Sequence, residues 1–121
     1  MYNPKESIPA FIHDTVMDAM GVSQDEYDSY LKTLENEAKT YIAMRLVDEI
    51  KLTENQEEIA IGFYVEYTLF SKMNTHEVAK DKIDSLDGLL RNMNSKYREK
   101  KQEAKTGLKG LVILWWISLK L

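Results

Sequence analysis

Apolar residues recur along much of this chain at three- and four-residue steps, which is the spacing of one face of an α-helix. The clearest stripe comprises Tyr27, Leu31, Leu34, Ala38, Tyr41, Ile42, Arg45 and Leu46. No glycine or proline interrupts this segment. Because these two residues weaken a helix most, the pattern predicts one long helix that ends at about Ile50.

Short polar motifs mark the ends of this helix and of its neighbours. Ser23 and Thr53 each begin a four-residue motif with capping-box spacing. Ser7 is expected to cap a first helix with Pro9 in its first turn, and Gly21 is expected to end it. The partial apolar stripe of this first helix comprises Phe11, Val16, Met17 and Met20.

The third predicted helix, residues 53–73, has a broad aromatic face. The face comprises Ile59, Ala60, Phe63, Tyr64, Tyr67 and Phe70. Aromatic side chains supply large buried area, so this face is expected to pack between helices. Gly62 inside the helix costs up to about 1 kcal/mol relative to alanine, and a close helix approach would explain it.

A fourth helix is predicted from Thr75 to about Glu103. Its stripe comprises Val78, Ala79, Ile83, Leu86, Leu90, Met93 and Tyr97. The stripe thins after Tyr97, and the charged segment 96–105 is expected to leave the body as a solvated helix. The sequence therefore predicts an all-α protein, a small bundle of about four helices with an extended C-terminal arm.

The C-terminal arm is the most distinctive part of the sequence. Gly107 and Gly110 are expected to form a hinge between a helical domain, residues 1–105, and an apolar arm, residues 106–121. Residues 112–117 are all apolar and include both tryptophans of the chain. Such a run docks either on its own core or on a partner, and the charged spacer and glycines favour the partner. Its composition leaves helix and strand open.

Charge is distributed unevenly along the chain. Residues 91–121 hold eight cations and two acids, a net +6, so the total of −4 leaves −10 on residues 1–90. A basic arm attracts DNA, an anionic lipid surface or an acidic protein, and head-to-tail contact between copies is a further candidate. The candidate partner-binding residues are Lys96, Arg98, Lys100, Lys101, Lys105, Lys109, Leu111, Val112, Ile113, Leu114, Trp115, Trp116, Ile117 and Leu119.

Known catalytic and metal-binding motifs are missing from the sequence. There is no cysteine, which removes disulfides, thiolate zinc sites and cysteine nucleophiles. The two histidines, His13 and His76, are expected to be surface or capping residues. Acidic residues, including the triplet Asp81, Asp84 and Asp87, are expected to lie on solvated helix faces. We therefore predict a non-catalytic protein that holds no cofactor and no metal.

The tyrosines are a second set of candidate binding residues. They are Tyr27, Tyr30, Tyr41, Tyr64 and Tyr67, and aromatic rings of this kind can stack on nucleic-acid bases. They are not interleaved with arginines, which favours packing in the core or at an interface.

Three apolar patterns between Asp25 and Arg98 carry a family resemblance. After an acidic helix start they are the pattern Leu31-x-x-Leu34-x-x-x-Ala38-x-x-Tyr41-Ile42, the run from Glu57 to Tyr67 and the run from Ile83 to Arg91. In these patterns the chain resembles the small helical head–tail connector, or adaptor, proteins of tailed bacteriophages.

The resemblance implies a structural subunit of the virion neck. It implies a homo-oligomeric ring of about twelve copies beneath the portal protein, which joins the portal to further neck or tail proteins and lines the channel for non-specific passage of DNA. It also implies that segment 96–121 is the arm that docks on the portal, and that the protein occupies the host cytoplasm during assembly. An acidic channel wall would let DNA slide without sticking, because like charges repel.

Two other interpretations remain open from the residues alone. One is a small helical regulatory or nucleic-acid-binding protein that uses the basic segment 91–109. The other is a membrane-surface protein anchored by its C-terminal tail. A stable membrane span is not expected, because a spanning helix needs about 20 apolar residues and the tail run is shorter.

Overall fold

A computed structural model describes the backbone of residues 1–120 and the side chains of residues 1–103. This part of the chain holds five helices and no strand, which confirms the predicted all-α bundle. The helices are α1 (Pro4–Ser7), α2 (Ala10–Met20), α3 (Gln24–Arg45), α4 (Glu54–Lys72) and α5 (His76–Lys120).

The predicted polar motifs set several helix ends. The Ser23 side chain accepts a hydrogen bond from the backbone N–H of Glu26 at the start of α3. Thr53 and Gln56 form both bonds of a capping box at the start of α4. Gly21 ends α2 with a φ of 65°, a left-handed conformation that glycine adopts without the steric cost of a Cβ.

Two predicted boundaries are wrong. The first helix is divided, because Ile8 is extended between α1 and α2. Ile8 precedes Pro9, and a residue before proline is disfavoured in helical conformation. Ser7 therefore ends α1, and Pro9 stands at the N-cap position of α2. α3 ends at Arg45, ahead of the predicted Ile50, because residue 46 is already extended.

Helix α4 lies at the centre of the bundle and packs against α1, α2, α3 and α5. Its most buried face is formed by Ile61, Val65 and Leu69, and the last two have no exposed surface. Full burial of one such aliphatic side chain contributes about 1.5–3 kcal/mol. α4 is therefore the helix around which the others assemble.

The predicted stripes on α3 and α5 coincide with the observed core. Their buried members are Tyr27, Leu31, Leu34, Ala38 and Ile42 on α3 and Ala79, Leu86 and Leu90 on α5. In both helices one uninterrupted apolar stripe faces α4 or its neighbours, so the 3.6-residue period identifies the buried face without ambiguity.

The predicted faces on α2 and α4 are partly wrong. On α4 the core face is aliphatic, while the aromatic residues Phe63, Tyr64 and Phe70 are only half-buried along its flanks. Ile59 is exposed, and Phe11 on α2 has 66% of its surface exposed. In both helices apolar residues occupy more than one face, so periodicity alone does not identify the buried one.

The residue that approaches the glycine inside α4 is an aromatic ring of the N-terminal segment, not another helix. The Tyr2 side chain lies over Gly62, and a Cβ added there would meet Tyr2 Cε2 at 3.5 Å. This is an ordinary van der Waals distance, so the N-terminal segment covers α4 without requiring glycine for space.

His13 is buried and joins three segments of the chain. Its Nε2 lies 3.0 Å from the carbonyl oxygen of Pro4, and its Nδ1 lies 2.5 Å from the Tyr27 hydroxyl. Because a carbonyl only accepts, Nε2–H donates to Pro4, and in the neutral imidazole Nδ1 then accepts from the Tyr27 hydroxyl. The prediction of a surface or capping histidine is therefore wrong for His13, whereas His76 is exposed as predicted.

Helix α5 is longer than predicted. Its backbone is helical past Glu103 and through both Gly107 and Gly110 to Lys120, so the helix has no break at the hinge that these glycines predict. The division into a helical domain and a C-terminal arm stays a prediction, since the side chains of the arm lie outside those that the structure describes.

The two apolar residues Leu69 and Phe11 give a direct test of this core. Replacing Leu69 by alanine should lower the free energy of unfolding by about 2–5 kcal/mol, because it opens a cavity in a fully buried site. Phe11→Ala should change it by less than about 0.5 kcal/mol, because the ring is mostly in water. Urea denaturation followed by circular dichroism measures both, and equal losses would contradict the packing described.

Candidate protein-interaction site

An apolar groove lies where α3 ends and the chain turns toward α4. It has a volume of about 440 Å³. Its apolar lining consists of Ile42, Ala43, Leu46, Val47, Ile50 and Leu52. Ile42 belongs to the core, while the others are half-buried or exposed, so their apolar atoms face solvent in an isolated chain. Exposed apolar surface of this kind marks binding sites.

A single side chain of α5 fixes the shape of this groove. Asn94 donates from Nδ2 to the backbone carbonyl of Arg45 at 2.7 Å, and its Oδ1 accepts from the backbone N–H of Val47 at 2.9 Å. The last carbonyls of a helix lack partners within the helix, and a carboxamide supplies both a donor and an acceptor. Asn94 therefore ends α3 and holds the lining residue Val47 against α5.

The surroundings of the groove are acidic. Residues 47–58 contain five acids and one lysine, a net charge of −4. Asp48 and Glu49 are exposed, and Glu57 on the groove wall is half-buried. Two further acids of this segment, Glu54 and Glu58, contact the α-amino group of Met1. The groove wall itself carries Lys39 and Lys51 as well as Asp48 and Glu57, so its own charges balance, and the acidic excess belongs to the surrounding segment.

The basic end of α5 is exposed to solvent. Residues 98–103 are all exposed, and Tyr97 just before them is half-buried. The ammonium of Lys101 lies 5.1 Å from the centre of the Tyr97 ring, within the range of a cation–π contact. The Tyr97 hydroxyl and then the Glu49 carboxylate raise the pKa of Lys101. This part of α5 is accessible to a partner.

The predicted partner-binding residues divide into two groups. Lys96, Arg98, Lys100 and Lys101 are exposed on α5, as a docking role requires. The others have side chains outside those that the structure describes, and they are Lys105, Lys109, Leu111, Val112, Ile113, Leu114, Trp115, Trp116, Ile117 and Leu119. The groove itself is not among the predicted sites.

The tyrosines pack on each other and on neighbouring side chains. The Tyr41 and Tyr64 rings have centroids 5.2 Å apart, and those of Tyr64 and Tyr67 are 6.0 Å apart. The Arg45 guanidinium lies 3.4 Å from the centre of the Tyr41 ring, and the Tyr41 hydroxyl donates to Asp87 Oδ1 at 2.5 Å. With Tyr27 buried and Tyr30 packed against the core, the predicted packing role is confirmed.

Acidic residues of the described chain do not gather into a metal site. Among the described residues, no group of three or more potential metal ligands comes together. Of the predicted solvated triplet, Asp81 and Asp84 are exposed, whereas Asp87 is half-buried and accepts from Tyr41. Within the same described residues, no helix is both long enough and apolar enough to cross a membrane.

The contact between Tyr41 and Asp87 predicts a loss of stability in alkali. Burial and then the Asp87 hydrogen bond raise the pKa of Tyr41 from 10.0 to about 12. Between these pH values the folded chain holds a proton that the unfolded chain releases, so stability falls as pH rises. The contribution is fully present below pH 10 and is lost as pH passes through about 12.

Urea denaturation across this pH window measures the effect. The free energy of unfolding should fall less steeply for Tyr41→Phe than for the natural chain, because the variant lacks this proton. Identical slopes for both chains would contradict the assignment.

Comparisons with protein-family models, with curated proteins and with solved structures find no match to this chain. A function for it must therefore come from its own surfaces and charges.

Proposed function

We propose that this protein is a structural subunit of an oligomeric assembly, and that the assembly is the head–tail connector ring of a tailed bacteriophage. In this role it joins the portal protein to further neck or tail proteins. The sequence resemblance of residues 25–98 points to this class of protein, and the all-α bundle is compatible with it.

One observation carries the proposal. Helix α5 continues beyond the body through six consecutive exposed residues, 98–103, and the sequence that follows ends in an apolar run. An exposed stretch that leads to apolar residues has the organisation of a docking arm. The acidic body and basic arm also give each copy two opposite charges for contact with neighbours.

The sequence of the arm favours a protein partner over a membrane surface. A helix that lies on a bilayer needs a charged face opposite its apolar face. Residues 111–117 are apolar at every position, and a helix that is apolar all round requires cover on all sides. A protein groove or a set of neighbouring subunits supplies such cover.

Four exposed cations on α5 favour nucleic-acid binding as a second candidate. They are Lys96, Arg98, Lys100 and Lys101. The acids of the body oppose it, because the chain as a whole carries a net charge of −4. In the connector proposal the same acids repel DNA from the channel wall, and the cations contact acidic protein surfaces.

Deletion of residues 110–121 tests the docking role of the tail. The shortened chain should keep its helical circular dichroism spectrum, because every core residue identified above lies before residue 91. It should fail to form the oligomer of the full chain, as measured by size-exclusion chromatography with light scattering. An unfolded shortened chain would place the tail in the core and contradict the proposal.

Salt separates this proposal from nucleic-acid binding. Phosphate contacts weaken steeply as salt rises, so binding of DNA by the basic segment should fall about 10³-fold or more from 50 to 200 mM salt if several contacts form. Oligomerisation through apolar residues should lose far less. Tight, salt-sensitive DNA binding by a monomeric chain would favour the second candidate.

A further inference from the structure

We infer that the apolar groove at the end of α3 receives the C-terminal residues 111–119 of a second copy of this chain. The inference rests on the proposed function in one respect, namely that copies of the chain assemble. It goes further in naming the two surfaces that meet, the groove of one copy and the tail of another.

The groove has the volume and the apolar lining of a pocket that receives anchor side chains. A volume of about 440 Å³ lies in the range of pockets that hold ligands or anchor side chains. Helices that dock in grooves use anchors at positions i, i+3, i+4 and i+7. In the tail these positions are filled by Val112, Trp115, Trp116 and Leu119, and this part of the chain belongs to helix α5.

The tail of the same chain does not reach this groove while α5 is intact. Asn94 holds the groove residue Val47 directly against α5. Leu111 follows seventeen residues later on the same helix, which at 1.5 Å per residue places it about 25 Å further along the axis. Self-docking would require α5 to break, whereas docking on a second copy leaves it whole.

Charge gives the contact its direction. The segment 96–109 that precedes the tail has six cations and two acids, a net +4. The segment 47–58, which forms one side of the groove, has a net charge of −4, while the four charged residues of the groove wall, Lys39, Asp48, Lys51 and Glu57, sum to zero. Bringing the two segments together from different copies pairs opposite charges beside the apolar contact, which favours correct encounters and disfavours groove-to-groove or tail-to-tail pairing.

Such a contact is heterologous, since the groove of one copy meets the tail of the next. A heterologous contact repeats from copy to copy and produces a ring when the rotation between neighbours closes. The inferred interface therefore accounts for a ring with one kind of contact between neighbouring subunits.

Two variants of the full chain separate the contribution of the groove from that of the tail. Ala43→Arg places a large cation at an exposed position of the groove wall, and Trp115→Ser with Trp116→Ser removes two anchors. Each should lower the self-association constant by at least about tenfold, since buried aromatic anchors dominate interfaces. The matched control Ala19→Arg, at an exposed position of α2, should change it by less than about twofold.

Mixing the two variants gives the sharpest result. The Ala43→Arg chain keeps its tail and the double tryptophan variant keeps its groove, so one contact remains between unlike copies. Analytical ultracentrifugation should show monomers for each variant alone and a one-to-one dimer for the mixture. Circular dichroism spectra equal to that of the natural chain establish that both variants fold.

A second groove variant leaves Ala43 unchanged, so it tests the groove independently of any local misfolding caused by Ala43→Arg. Asp48→Lys with Glu49→Lys changes two exposed side chains, Asp48 on the groove wall and Glu49 next to it in sequence, and should also weaken association. If the natural chain forms oligomers that neither groove variant weakens, the groove is not the interface, although the proposed assembly role stands. If the natural chain stays monomeric at every concentration, the assembly role and this inference both fail.

Discussion

The whole arrangement depends on the burial of one helix face, the aliphatic side of α4. Val65 and Leu69 on that face have no exposed surface, and α4 contacts each of the other four helices. Because α3 and α5 both rest on α4, the end of α3 lies close enough to α5 for direct polar contacts. Tyr41 then reaches Asp87, and Asn94 reaches the backbone of Arg45 and Val47. The groove is a product of this packing.

The sequence predicts those elements whose apolar residues form a single stripe. α3 is the best example, because its stripe from Tyr27 to Ile42 coincides with its buried face. Phe11 shows the limit, since helix α2 has apolar residues on more than one side and tertiary packing decides which side is buried. The prediction that His13 is a surface or capping residue is also wrong, because its partners Pro4 and Tyr27 come together only in the fold.

The groove illustrates a second kind of limit. Its lining residues are adjacent in sequence and carry no recognisable motif, yet their shape depends on Asn94, which is 47 residues away from Val47. Long-range hydrogen bonds of this kind leave no local pattern. The charged and apolar composition of the C-terminal arm, by contrast, is legible from sequence alone. Sequence thus identifies the basic and apolar end of the molecule, and the structure adds an apolar groove that the sequence does not reveal.

The central claim, that the tail of one copy occupies the groove of another, is tested most directly by cross-linking. The chain has no cysteine, so Met44→Cys beside the groove and Ser118→Cys in the tail each provide one reactive thiol. Differently tagged copies of the two variants are mixed and treated with a short thiol-specific cross-linker. The account predicts that mixed Met44–Ser118 dimers exceed both like pairs. Predominant Ser118–Ser118 dimers would show that tails pair with each other and would contradict it.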